Sequence, residues 1–398
     1  MRGAQARSWG VRDITLGRAR RLADRTVRKP RSPSQWGVNL VGYFSSGLGL
    51  GEAARAMLVT LEAHDVPVVP VNTRPALGER CDPDLATVPA AAAPFTVNMF
   101  CVNGDGMRGF MRKQGRAFLD GRYSIGIWWW EVPPAPARWA EVSRSLDEIW
   151  VCSDHVLDAI APIVDVPVMK IPQPVPLPIP DATPRRSLGF PDGFVFHSVF
   201  DYSSTFARKN PIGLVEAFRR AFAEDSGAHL FIRSINGKRD SRSRRLLESA
   251  AAGRPDIHIV DRYVSPGEKN AMLARCDCYV SLHRAEGFGL PLAEAMRLEK
   301  PVIATGWSGN LEFMTQANSY LVDYKLSRVG AGSWPYLPDA QWADPDLDDA
   351  ARLMREVFAD PRSAAARGRL AAREIGARHD PSEVGVTVAA RLDDLRPA

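Results

Sequence analysis

No apolar run in this chain of 398 residues approaches the ~18 residues that a membrane-spanning helix needs. The opening MRGAQARSWG lacks the apolar centre of a signal peptide, so a cytoplasmic location is expected. Cysteine is scarce, at five, and an odd number builds no closed disulfide framework. Cys276 and Cys278 are spaced C-D-C, but no second pair or histidine cluster accompanies them, which favours buried strand thiols over a zinc site. His64, His155, His197 and His379 also stand without sequence partners that suggest a metal. The stretch GYFSSGLGLGEAARAM is spaced G-x-G-x-G at Gly47, Gly49 and Gly51, and Glu52 stands where a dinucleotide fingerprint needs its third glycine. The next strand ends at Pro70, Val71 and Asn72, with no acid for a ribose, so a nicotinamide cofactor is not expected.

Outside its N-terminus the chain also lacks excess positive charge, despite a formal net charge of +5. Residues 1–31 hold nine arginines and one lysine against Asp13 and Asp24. The basic character therefore belongs to an arm, residues 1–34, and does not imply a nucleic-acid-binding body. Drawn as a helix, the arm puts Val11, Leu16, Ala19, Leu22, Ala23 and Val27 on one side and most of its arginines on the other. Two readings stay open: a helix lying peripherally on the anionic inner membrane face, and a disordered basic tail.

What is present is alternation. Strand-like VNLVGYF, VPVVPVN, FTVNMFCVN, SIGIWWW, EIWVCS and VPVMKI are separated by helix-like stretches near 51–63, 107–119, 137–146 and 154–163. This spacing predicts a parallel sheet covered on both faces. IPQPVPLPIPDATP follows, with proline at nearly every second position, an extended and stiff linker. A second series then runs through FVFHSVFD, AHLFIRSI, IHIVDRYV, CYVSLHR, PVIAT and SYLVDY, with a helical C-terminus from Asp348 that breaks near Asp380-Pro381. The expected organisation is a first domain over 35–171, a linker over 172–191, a second domain over 192–378, and a final helix, 379–398, crossing back to the first domain. Two doubly wound sheets leave a cleft at their strands' carboxyl ends.

The most informative segment is SLHRAEGFGLPLAEAM. A strand ends near His283 and a helix begins near Leu290, with Pro291 at a first-turn position that needs no N–H. The amides around that start face outward at the positive end of the helix dipole and suit a phosphate. Gly287 and Gly289 admit a ligand close to the backbone. Glu286 and Glu294 flank this anion site as hydroxyl acceptors. A phosphate with hydroxyl-rich groups at both ends, as in a nucleotide sugar, fits that order.

EGFGLPLAE is a Glu-x7-Glu motif and resembles the donor-binding motif of the retaining GT-B glycosyltransferases, in particular glycosyltransferase family 4. The resemblance covers about residues 36–378 and includes Ser308-Gly309-Asn310 downstream. It implies an α/β fold of GT-B type, two doubly wound Rossmann-like domains facing a central cleft, with a nucleoside-diphosphate sugar as donor and no cofactor. It further implies that Glu294 takes the ribose hydroxyls, that Glu286 contacts the transferred sugar, and that Gly287, Phe288, Gly289, Leu290 and Asn310 line the donor. Lys209, in FDYSSTFARKNP, matches the lysine that grips the diphosphate. The family's earlier arginine position holds serine here, near Ser203, and whether Arg208 replaces it stays open. Gly49 and Gly51 resemble the glycine loop that approaches donor and acceptor from the first domain.

The acceptor side is expected in the first domain, where CVNGDG and WWWEVPP follow strands. The family's histidine near the reacting sugar has no counterpart there; Asn103, Asp105 and Glu131 are the candidates. The D-x-D metal motif of the other main glycosyltransferase fold occurs only as Asp82-Pro-Asp84 and Asp344-Pro-Asp346, both read as loop turns, so no metal is expected. The resulting expectation is hexosyl transfer to a glycan or glycolipid hydroxyl in surface-polysaccharide assembly. A sugar-nucleotide epimerase and a catalytically silent nucleotide-sugar-binding subunit are the alternatives on the same scaffold.

Overall fold

The computed structural model describes residues 35–73 and 86–396. The basic arm and Asp82-Pro-Asp84 lie outside them. The first domain runs β1 (Gln35–Gly42), α1 (Gly49–Glu62), β2 (Val68–Asn72), β3 (Phe95–Cys101), α2 (Gly104–Gln114), β4 (Tyr123–Ile127), α3 (Trp139–Ser143), β5 (Glu148–Val151), α4 (Asp154–Ile160) and β6 (Val168–Lys170). All its strand pairs are parallel, in the order β2-β1-β3-β4-β5-β6. Central β3, FTVNMFC, is buried at every residue, as a strand covered on both faces must be.

The proline-rich segment 171–184 carries no regular element. The second domain follows as β7 (Phe194–Asp201), α5 (Phe206–Lys209), α6 (Pro211–Ala221), β8 (Ala228–Ile235), α7 (Ser241–Ala251), β9 (Ile257–Asp261), α8 (Pro266–Arg275), β10 (Cys278–Ser281), α9 (Leu290–Arg297), β11 (Val302–Thr305) and β12 (Tyr320–Val322). Its strands are again all parallel, ordered β12-β11-β10-β7-β8-β9.

Three features depart from the sequence reading. Trp128–Trp130 do not continue β4. Their rings turn inward, with Trp128 and Trp130 both edge-on to Trp139. The strand expected over 319–324 stops at Val322, and Tyr324 opens an antiparallel hairpin, β13 (Tyr324–Arg328) with β14 (Gln341–Pro345), outside both large sheets. The helical C-terminus is three helices, α10 (Leu347–Ala359), α11 (Pro361–His379) and α12 (Pro381–Asp393). Asp360 and Asp380 each cap the next helix with a side-chain oxygen, and proline fills the first turn, two start signals in series.

The domains share apolar packing. Phe288 of the second domain lies against Phe313 and His379, within a cluster continuous with the first domain's core. Arg391 of α12 reaches Glu148 of β5 at 2.6 Å, and α12 packs on α1.

Candidate active site

In each sheet the strand order reverses at one point, between β1 and β3 in the first and between β7 and β10 in the second. A crevice forms at the carboxyl ends there. The short helix α5 after β7 carries Arg208 and Lys209, and the loop after β10 carries Glu286. Residues far apart in sequence thus meet at one place.

They meet as ions. Lys209 Nζ and Arg208 both pair with Glu286, the arginine Nη1 at 3.2 Å from Oε2. Arg208 is 4% exposed; its Nη1 also donates to the Ala285 carbonyl at 2.8 Å, while Nη2 stands 3.5 Å from Glu131 Oε1 of the first domain. Burial raises the Glu286 pKa, but Lys209 and Arg208, with His283, outweigh it and hold the carboxyl at about 2. Two protein cations are therefore concentrated in a shielded crevice, where charge acts strongly.

Beside them the chain turns into α9. Gly289 caps the helix at φ +92°, and a Cβ there would also meet Leu292 Cδ1 at 2.8 Å, so glycine alone fits. The amides of Phe288, Gly289 and Leu290 have no partner among the described residues, and Pro291 has no N–H. The loop itself is clamped. Ser153 Oγ of the first domain donates to the Gly287 carbonyl at 2.8 Å while accepting from Val156 N. From below, Ser308 Oγ accepts from Glu286 N at 2.9 Å and Gly309 N donates to Glu286 O at 2.9 Å. Unpaired amides on a fixed loop at a helix start are groups that suit an anion.

At the other end of the site, Glu294 Oε1 lies 2.8 Å from Lys269 Nζ, and Lys269 reaches Glu52 of the first domain at 3.6 Å. Burial is the main cause of the raised Glu294 pKa, opposed in part by Lys269 and reinforced by Glu52. Arg233 is buried nearby, and its Nε has no hydrogen-bond partner among the described residues.

Other expected site residues fall in different places. Gly49 opens α1 with nothing within 4 Å of a Cβ, whereas Gly51 packs beneath the Ser46 and Tyr43 carbonyls. Asn103 precedes α2, and its Oδ1 accepts from Trp129 N at 2.9 Å. Asp105 is held bidentately by Arg138 at 2.7 Å. Asn310 is fully buried: its amide spans His283 Nε2 and the Thr305 carbonyl, so its side chain supports the loop from beneath. Asp344 pairs with Arg284, and Asp346 caps α10. No group of three or more His, Cys, Asp or Glu that could hold a metal occurs among the described residues. Lys269 has no sequence signal of its own: its partners Glu294 and Glu52 lie in other elements, and no local spacing announces it.

Two Rossmann-like domains with parallel six-stranded sheets facing a shared crevice define the GT-B fold. Residues 198–327, the part of the chain that holds the cations and the Glu-x7-Glu loop, match the family described as Glycosyl transferases group 1. Comparison with curated protein sequences finds no match. Among solved structures, a sucrose-phosphate synthase from Thermosynechococcus elongatus is similar at 14% identity and TM-score 0.66, over 91% of this chain and 99% of that one. Anabaena HepE, solved with UDP and glucose, is similar at 13% identity and TM-score 0.64, over 90% of this chain and 100% of its own. A glycosyltransferase from Rickettsia africae gives 11% identity and TM-score 0.64, over 92% and 100%.

Proposed function

We propose that the protein is a retaining, metal-independent glycosyltransferase of the family 4 type. It moves a hexosyl unit from a nucleoside-diphosphate sugar to a hydroxyl of a glycan or glycolipid. The observation that carries this reading is the convergence of Lys209, Arg208 and the α9 amides on one crevice wall, with Glu286 and Glu294 at its two ends. The match of residues 198–327 to a glycosyltransferase family and the UDP-glucose complex of HepE support it.

Cleavage of the anomeric bond puts negative charge on the departing diphosphate and positive charge on the sugar. Lys209 and Arg208 meet the former, as a metal does elsewhere, and fixed donors of this type contribute roughly 3–4 kcal/mol each. Glu294 takes the ribose hydroxyls. Glu286 lies on the sugar side as an anion. A carboxyl held at about 2 is ionised near neutral pH. Contact between the domains keeps water from the donor.

A thermal-shift screen of nucleoside diphosphates and their hexose conjugates, with and without EDTA, tests the proposal. One nucleotide series is expected to raise Tm equally in both conditions. No shift with any nucleotide, or a shift abolished by EDTA, contradicts it.

A further inference from the structure

Tyr336 lies in the loop between β13 and β14, beyond the segment that matches the glycosyltransferase family. It is buried, at 8% exposure, and its ring stands 5.2 Å from Trp130 of the first domain. Its hydroxyl donates to Glu131 Oε2 at 2.9 Å. The other oxygen of Glu131 faces Arg208 Nη2 at 3.5 Å. The loop is tied to the cations' own turn from several sides. Thr205 Oγ1 donates to the Trp334 carbonyl at 3.3 Å, Ala343 N donates to Arg284 O at 3.0 Å, and Arg284 N donates to Arg208 O at 2.7 Å.

We infer that Tyr336 and Glu131 are positioning residues that set the Arg208 guanidinium for an incoming diphosphate and do so only when the two domains are in contact. The proposed function supplies the diphosphate, and the inference rests on it. Arg208 is held on one edge by Ala285 O and Glu286, both from its own domain. Its Nε has no partner among the described residues. Among the described residues Glu131 alone brings a carboxylate from the first domain to the other edge, and the Tyr336 hydroxyl fixes that carboxylate. Without either, the Nη2 edge of a planar fork that must meet phosphate oxygens in a set plane loses its anchor from the first domain, and only the Nη1 edge stays held.

The test is calorimetric titration of UDP and GDP into wild type, Tyr336→Phe, Glu131→Gln and the double variant, each first shown to be folded by circular dichroism. Each single change is expected to weaken binding of whichever nucleotide binds by about tenfold, the loss of one hydrogen bond to a charged group. The double variant should be little worse than the weaker single, because one network is broken once. Affinity within twofold of wild type, or tighter, while Arg208→Gln binds weakly, overturns the inference. If wild type binds neither, the nucleoside diphosphate that raises Tm in the thermal-shift screen is titrated instead, and the proposed function fails if none does. The Tyr336–Glu131 contact is then judged by urea unfolding of the same four proteins: non-additive losses support the coupling and additive losses overturn it.

Discussion

Lys269 Nζ lies 2.8 Å from Glu294 Oε1 and spans the crevice to Glu52, 3.6 Å away in the opposite domain. The carboxylate proposed for the ribose is thereby held in place before any ligand arrives. Glu294→Ala removes two hydroxyl acceptors and leaves a buried ammonium with a weaker partner. The donor KM should rise by tenfold or more, with kcat within about threefold, because ribose is bound alike in ground and transition states. Steady-state kinetics over donor concentration check this; an unchanged KM removes Glu294 from the ribose.

The loop that carries the amides depends on close backbone packing. A Cβ on Gly309 would stand 1.9 Å from the Gly287 carbonyl oxygen. Gly309→Ala should therefore displace residues 286–289, costing about 1–3 kcal/mol of stability in urea unfolding and weakening nucleotide binding. Gly49→Ala, with nothing within 4 Å, should leave stability within about 0.5 kcal/mol.

Acid should destabilise the fold from an unusually high pH. Burial lowers the pKa of His197 to about 3, and of His283 and His379 to about 4, against about 6.5 in an unfolded chain. The unfolded state then binds protons that the folded state does not, so stability falls as pH drops below ~6.5, down to the folded values. Glu286, at about 2 in the fold against 4.5, adds a loss in the same direction below pH 4.5. Tm should decline steadily from pH 7 to 4.5. A flat profile over that range would mean that these imidazoles are not buried.

The parallel sheets and the start of α9 at Leu290 were legible because each is written in a continuous run: buried apolar residues, or glycines before Pro291. The ends of elements were less so. Trp128–Trp130 read as strand since three apolar residues extend an apolar run, but the indoles of Trp128 and Trp130 pack edge-on against Trp139 and that of Trp129 donates to Gln173. The β13–β14 hairpin was hidden because its strand YKLSR is exposed at almost every position and carries no burial pattern. At the site, Lys209, Glu286 and Glu294 stood in recognisable local motifs. Asn310 did too, yet its side chain is directed into the scaffold by His283, which no spacing foretells. Tyr336 and Lys269 have partners in the opposite domain, and only the folded chain sets them beside Glu131 and Glu52.

Lys209 is the cation proposed to meet the departing diphosphate, and nucleotide release by Lys209→Ala measures that role most directly. Incubated with a panel of nucleoside-diphosphate hexoses and hydroxyl acceptors, wild type should release one nucleoside diphosphate. The variant, with an unchanged circular dichroism spectrum, should do so at least 100-fold more slowly in kcat, in line with the loss of one fixed donor to the leaving group. Release at the wild-type rate by the variant would contradict the account.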